Sequence, residues 1–220
     1  MSPDGRLFVY FAAKHGRRRD PDGIGEAWTA ISRPPYFTAL ALWTNLGSWY
    51  GGGVFTADRH VLLDVACSSE PHPKFRAKRL KIGHCPAKSA PWEQRLLRDG
   101  WQLLERGFDP RTERRVGPRE IWKKPHPRKP LVLYRQMEEV DFQRSDGPYH
   151  ETIWLETPND LIPLTGAGWA DWDKDRLVFT RAGALWQAVV GNGALAESQL
   201  FDFNPLRPKE TVAPGWAQRW

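Results

Sequence analysis

Cysteine is scarce in this chain, with two residues, Cys67 and Cys85, among 220. Two thiols cannot build the disulfide framework of a small secreted domain, so both are expected as buried, idle thiols. Long apolar runs are missing as well. None approaches the roughly 18 residues that a membrane-spanning helix needs. The opening Met1-Ser-Pro-Asp-Gly5 carries neither a basic region nor a hydrophobic one of the kind that directs secretion. A cytoplasmic protein with no membrane partner is the expectation. Catalytic motifs are equally thin. Gly51-Gly-Gly53 lacks the Lys-Ser/Thr that completes a phosphate loop, and no Gly-x-Ser-x-Gly elbow occurs.

Three clusters hold residue types that can carry chemistry. Asp171, Asp173 and Asp175 have the alternate spacing of a calcium loop. However, Arg176 stands where the loop needs glycine and Ala182 where it needs glutamate, so a turn-forming start to a hairpin is the better reading. Cys67, His72, His84 and Cys85 are acceptable zinc ligands. His84 and Cys85 are adjacent, though, and neighbours on a strand point to opposite faces. Glu138, Glu139 and Asp141 contain the carboxylates of a glycosidase without its spacing. No metal, no cofactor and no catalytic residue is assigned, and the enzyme question leans towards a non-enzyme.

What the chain has in excess is tryptophan, twelve residues, with nineteen glycines and nineteen prolines spread throughout. That punctuation favours many short strands over a few long helices. Net charge is +6, unevenly placed: Pro71 to Pro130 holds 17 Lys or Arg against 6 acidic residues, and the remainder is mildly acidic. Such a sector is either a solvated face or a patch for phosphate backbones or an acidic partner.

The clearest local signal is Gly168 to Trp186. Arg176 to Arg181 alternates and is rich in β-formers, Ala182-Gly183 supplies a turn, and Ala184-Leu-Trp186 begins the return strand. Its pattern recurs at Ser2-Pro-Asp-Gly-Arg-Leu-Phe and, more loosely, around Asp58, Asp99 and Asp146. The five aspartates, from Asp4 to Asp175, are spaced on average about 43 residues apart, near the roughly 40–45 of one four-stranded propeller blade. Other strands are expected at Arg6–Ala13, within Glu26–Trp43, and at Pro130–Arg135. Trp92–Leu104 reads equally as strand or short amphipathic helix. Gly215-Trp-Ala217 repeats Gly168-Trp-Ala170. A tail strand pairing with the first strand would therefore close a ring and leave no edge unpaired.

Ser2-Pro-Asp-Gly-Arg-Leu-Phe-Val-Tyr-Phe11 and Trp172-Asp-Lys-Asp-Arg-Leu-Val-Phe179 resemble the WD40-like repeat of TolB-type β-propellers. The resemblance covers about 20 residues and implies one all-β propeller domain over residues 1–220, of about four to five blades. It implies no activity, because that fold hosts binding modules and enzymes alike. Blade tryptophans usually pack cores, so Trp28, Trp154, Trp169, Trp172 and Trp186 are expected inside. Trp43 and Trp49 flank Thr-Asn-Leu-Gly-Ser and are expected in an exposed loop. The expected function is non-catalytic recognition of another protein across a propeller rim. That rim takes in Arg17, Arg18, Arg19, Trp43, Trp49, Lys78, Arg79, Lys81, Trp122, Lys123, Lys124 and Arg128. The alternatives are a carbohydrate-active hydrolase with its site in a central channel, and nucleic-acid binding through the basic sector, where Phe75, Trp101 and Trp122 interleave with the cations.

Overall fold

The computed structural model describes residues 1–14, 23–48, 50–87, 89–106, 120–139, 149–190, 195–207, 209 and 211–220. Over these residues the fold is all-β, built from four small sheets with one short α-helix. The chain divides into two compact units, Met1–Asp99 with Lys209–Trp220, and Gly100–Pro208.

In the first unit, β1 (Phe8–Ala13), β2 (Ala27–Ser32) and β3 (Ala41–Thr44) form an antiparallel meander. Strand β2 stops before Pro34-Pro35, where the missing N–H groups cannot continue a ladder. A second sheet joins β4 (Gly53–Ala57), β5 (His60–Leu63) and β6 (Lys81–His84). Asp58-Arg59 turns the chain from β4 to β5, and β6 runs parallel to β5 after a long crossover. Helix α1 (Pro91–Arg98) begins with proline at its first position and packs its apolar side near β4. Leu7, Ile31, Leu40, Trp43, Phe55, Val61, Leu63 and Cys67 share one buried cluster, which Trp220 helps to cover.

In the second unit, β7 (Gln102–Arg106), β8 (Glu120–Pro125), β9 (Val132–Glu139), β10 (Tyr149–Glu156) and β11 (Leu161–Pro163) form a five-stranded meander. Alternation sends Leu133, Ile153 and Leu155 inward, and on the other face Tyr134 lies opposite Trp154, their rings stacked at 5.4 Å. The fourth sheet is β12 (Ala167–Asp173), β13 (Arg176–Arg181), β14 (Ala184–Val190) and β15 (Leu195–Asp202).

The hairpin expected at Arg176–Trp186 is present with the expected strand limits and turn. Both readings of Trp92–Leu104 hold in part, since α1 is followed by β7. Two aspartates equated by the repeat also meet: the Asp4 backbone N–H donates to Asp58 Oδ1 at 2.8 Å. The tail departs from expectation. Gly168-Trp-Ala170 lies inside β12, whereas Gly215–Gln218 is a single 3-10 turn, and among the described residues β1 pairs with β2 alone. The tail carries Pro214 just before this turn and no alternating β-formers after it, so it has nothing to sustain a strand. Trp220 joins the unit through its ring rather than through a ladder.

Candidate functional site

The stretch from Pro71 to Ser89 contains no acidic residue. Its first part is fastened to the outer side of β3: His72 N–H donates to Leu42 O at 2.7 Å, and Leu42 N–H donates to Phe75 O at 3.2 Å. Its far end is fastened where Lys81 N–H meets Arg59 O at 2.8 Å. Between these anchors Arg79 takes a left-handed conformation, φ 59°, which turns the chain into β6.

The tail forms the opposite wall. The Trp220 indole N–H donates to both Leu40 O (3.1 Å) and Arg76 O (3.0 Å), and Arg33 Nε donates to Arg219 O at 3.2 Å. Thr38–Leu40, Pro73–Arg76, Lys78, Arg79 and Gln218–Trp220 then enclose a groove of about 810 Å³. Among the described residues no Asp or Glu side chain lines it. Lys74, Arg76, Lys78, Arg79 and Arg219 are exposed along it. Among the described residues Arg76, Lys78, Arg79 and Arg219 pair with no carboxylate. Like charges gathered around one cleft repel each other and focus a positive potential over it, which a bound anion relieves. The volume is that of a small-molecule site, about 300–1,000 Å³, but the lining is far more charged than the apolar walls usual there.

Of the cations expected on the rim, Lys78 and Arg79 line the groove, while Lys81 lies exposed on β6 outside the groove lining. Arg17, Arg18, Arg19 and Trp49 lie outside the described residues. Trp43 and Trp122 correct the expectation of a rim, being 0% and 1% exposed. Trp43 sits one residue inside the end of β3, with both faces of that strand covered. Trp122 points inward from β8, which is flanked by β7 and β9. Lys123, Lys124 and Arg128 belong to the second unit. There Lys124 pairs with Asp171 at 2.5 Å and Arg128 with Asp175 at 3.0 Å. With Arg176 held on Asp173 at 2.6 Å, the three alternating aspartates each serve a different cation and converge on nothing. The tryptophans expected inside fare unevenly: Trp28, Trp154, Trp172 and Trp186 are half-buried, and Trp169 is 45% exposed.

Cys67 and Cys85 are buried free thiols. Burial pushes the Cys85 thiol up to about 11, with the Asp64 charge adding to the effect, and burial raises Cys67 in the same direction. Among the described residues no three His, Cys, Asp or Glu side chains gather as metal ligands. No described helix is long and apolar enough to cross a membrane.

The groove residues missed in the sequence are Thr38–Leu40 and Gln218–Trp220. They are far from the basic sector along the chain and carry no motif. Comparison with protein-family models, curated proteins and solved structures found no match to this chain.

Proposed function

We propose that this chain is a non-catalytic binding module on a small β-propeller frame, engaging an anionic macromolecule through the basic groove of the first unit. The frame is supported by four sheets, each made of consecutive strands, three of them simple meanders, as blades are. The strands that open the sheets begin at Phe8, Gly53, Gln102 and Ala167, so any blades differ in length. The observation that carries the binding reading is the groove itself, with four exposed cations on its two walls and no carboxylate partner for them among the described residues. A glycosidase needs two opposed carboxylates, and among the described residues this lining has none.

Retention on immobilised heparin, a polyanion, tests the reading. The protein should elute well above about 0.15 M salt. Lys78→Glu with Arg219→Glu should shift elution to markedly lower salt. Lys123→Glu makes the same kind of charge change outside the groove and should shift it much less. Equal shifts from groove and control substitutions would remove the groove from the account.

A further inference from the structure

An aromatic ledge adjoins the groove. Phe8 and Tyr10, alternate residues of β1, stack at 5.3 Å, and Phe37 meets both edge-to-face at 5.2 and 5.1 Å. The Tyr10 hydroxyl donates to Phe37 O at 2.6 Å and fixes the loop. Phe37 nonetheless stays 68% exposed, and the next residue, Thr38, lines the groove. A second ring is mounted the same way. Trp216 lies at 74° to Tyr36 with centroids 5.7 Å apart, remains 59% exposed, and precedes the groove residue Gln218 by two positions. Phe75 lies among the groove cations themselves.

We infer that groove and ledge together bind single-stranded nucleic acid, an inference that rests on the binding-module reading above. Unneutralised Arg and Lys follow a phosphate backbone, and ring faces accept bases of any identity by stacking. Rings braced perpendicular to neighbours are already ordered, so little freedom is lost on binding. A duplex keeps its bases stacked on one another and has no use for the rings. An acidic peptide satisfies the cations and likewise leaves the rings idle.

The test is fluorescence anisotropy of the whole protein with labelled oligo-dT of about 12 nucleotides, within the usual range of site sizes. A duplex of equal length is the second probe and poly-glutamate the competitor. The single strand should bind tightest, with log affinity falling against log salt by about 0.7 per cation engaged, a slope near −3 for four. Arg76→Ala with Lys78→Ala should flatten that slope by about 1.4. Phe37→Ala should weaken binding by roughly 5- to 150-fold without changing the slope, and Trp216→Ala, an independent exposed ring, should act alike. Poly-glutamate displacing the strand with equal affinity, or a duplex binding as tightly, while both ring variants bind normally, would overturn the nucleic-acid assignment and leave the binding module standing. Failure of every probe to bind would remove both.

Discussion

Trp43 and Trp169 show how different two tryptophans of one chain can be. The first is fully buried among Ile31, Leu40 and Phe55, the second 45% exposed on β12. Truncating a buried tryptophan removes its transfer energy and leaves a cavity. Trp43→Ala should therefore cost about 3–5 kcal/mol in urea denaturation, and Trp169→Ala less than about 1.5 kcal/mol. The sequence hid this because Trp43 is followed by Thr-Asn-Leu-Gly-Ser, which reads as loop, although β3 ends one residue after it. The thiols were easier, since two isolated cysteines without partners default to burial. Their titration gives a second prediction. The folded state holds the Cys85 proton up to about 11, while the unfolded chain releases it near the ordinary 9.0. Below that window both states keep the proton and nothing changes. Between the two values only the unfolded chain loses it, so stability falls as pH rises. Urea midpoints measured from pH 8.5 to 10.5 should decline, and less steeply in Cys85→Ala. Equal slopes would contradict the burial of this thiol.

Among elements, the hairpin β13–β14 was legible down to its end residues because alternation, turn and return strand all agree locally. Its turn carries positive φ at Ala182 (49°) and Gly183 (74°), the primed geometry that suits twisted strands. Alanine is strained there, and Ala182→Asn should raise stability by about 0.5–1 kcal/mol. Gly183→Ala should lower it by at least about 1 kcal/mol, since a Cβ would stand 2.3 Å from Asn204 Oδ1 in addition to the strain of its φ. Chemical denaturation of both variants checks the pair. The tail was misread for the opposite reason. Gly-Trp-Ala is strand in β12, where Arg176–Arg181 lies alongside to pair with it, and a 3-10 turn at Gly215, where no strand among the described residues pairs with it. Three residues do not fix a conformation that their neighbours decide. Strand β6, Lys81–His84, is not legible in the sequence because its Gly83 and short length carry little β signal. Its place is set by β5, whose Leu62 side chain a Cβ at Gly83 would meet at 2.9 Å.

At the scale of the whole molecule, the basic sector divides between the two units and behaves differently in each. In the second unit Lys124 and Arg128 are neutralised by Asp171 and Asp175. In the first, Arg76, Lys78 and Arg79 face the groove, with Arg219 of the tail across from them, and none of the four has a carboxylate partner among the described residues. Charge counting located the sector but could not separate its halves, because both have the same density of Lys and Arg to the eye. The difference lies in aspartates some 47 residues from their lysine or arginine partners, brought close where the five-stranded and four-stranded sheets of the second unit meet. Arg219 and Trp220 could not be placed in the site for the same reason, 144 residues separating Trp220 from the Arg76 carbonyl it binds.

The most direct measurement is a two-dimensional amide NMR titration of the labelled protein with oligo-dT at low salt. The account predicts shifts concentrated at residues 37–40, 73–79 and 216–220, fading as salt is raised. Shifts centred instead on Lys123–Lys129, or no shifts at the groove while binding is saturated, would contradict it.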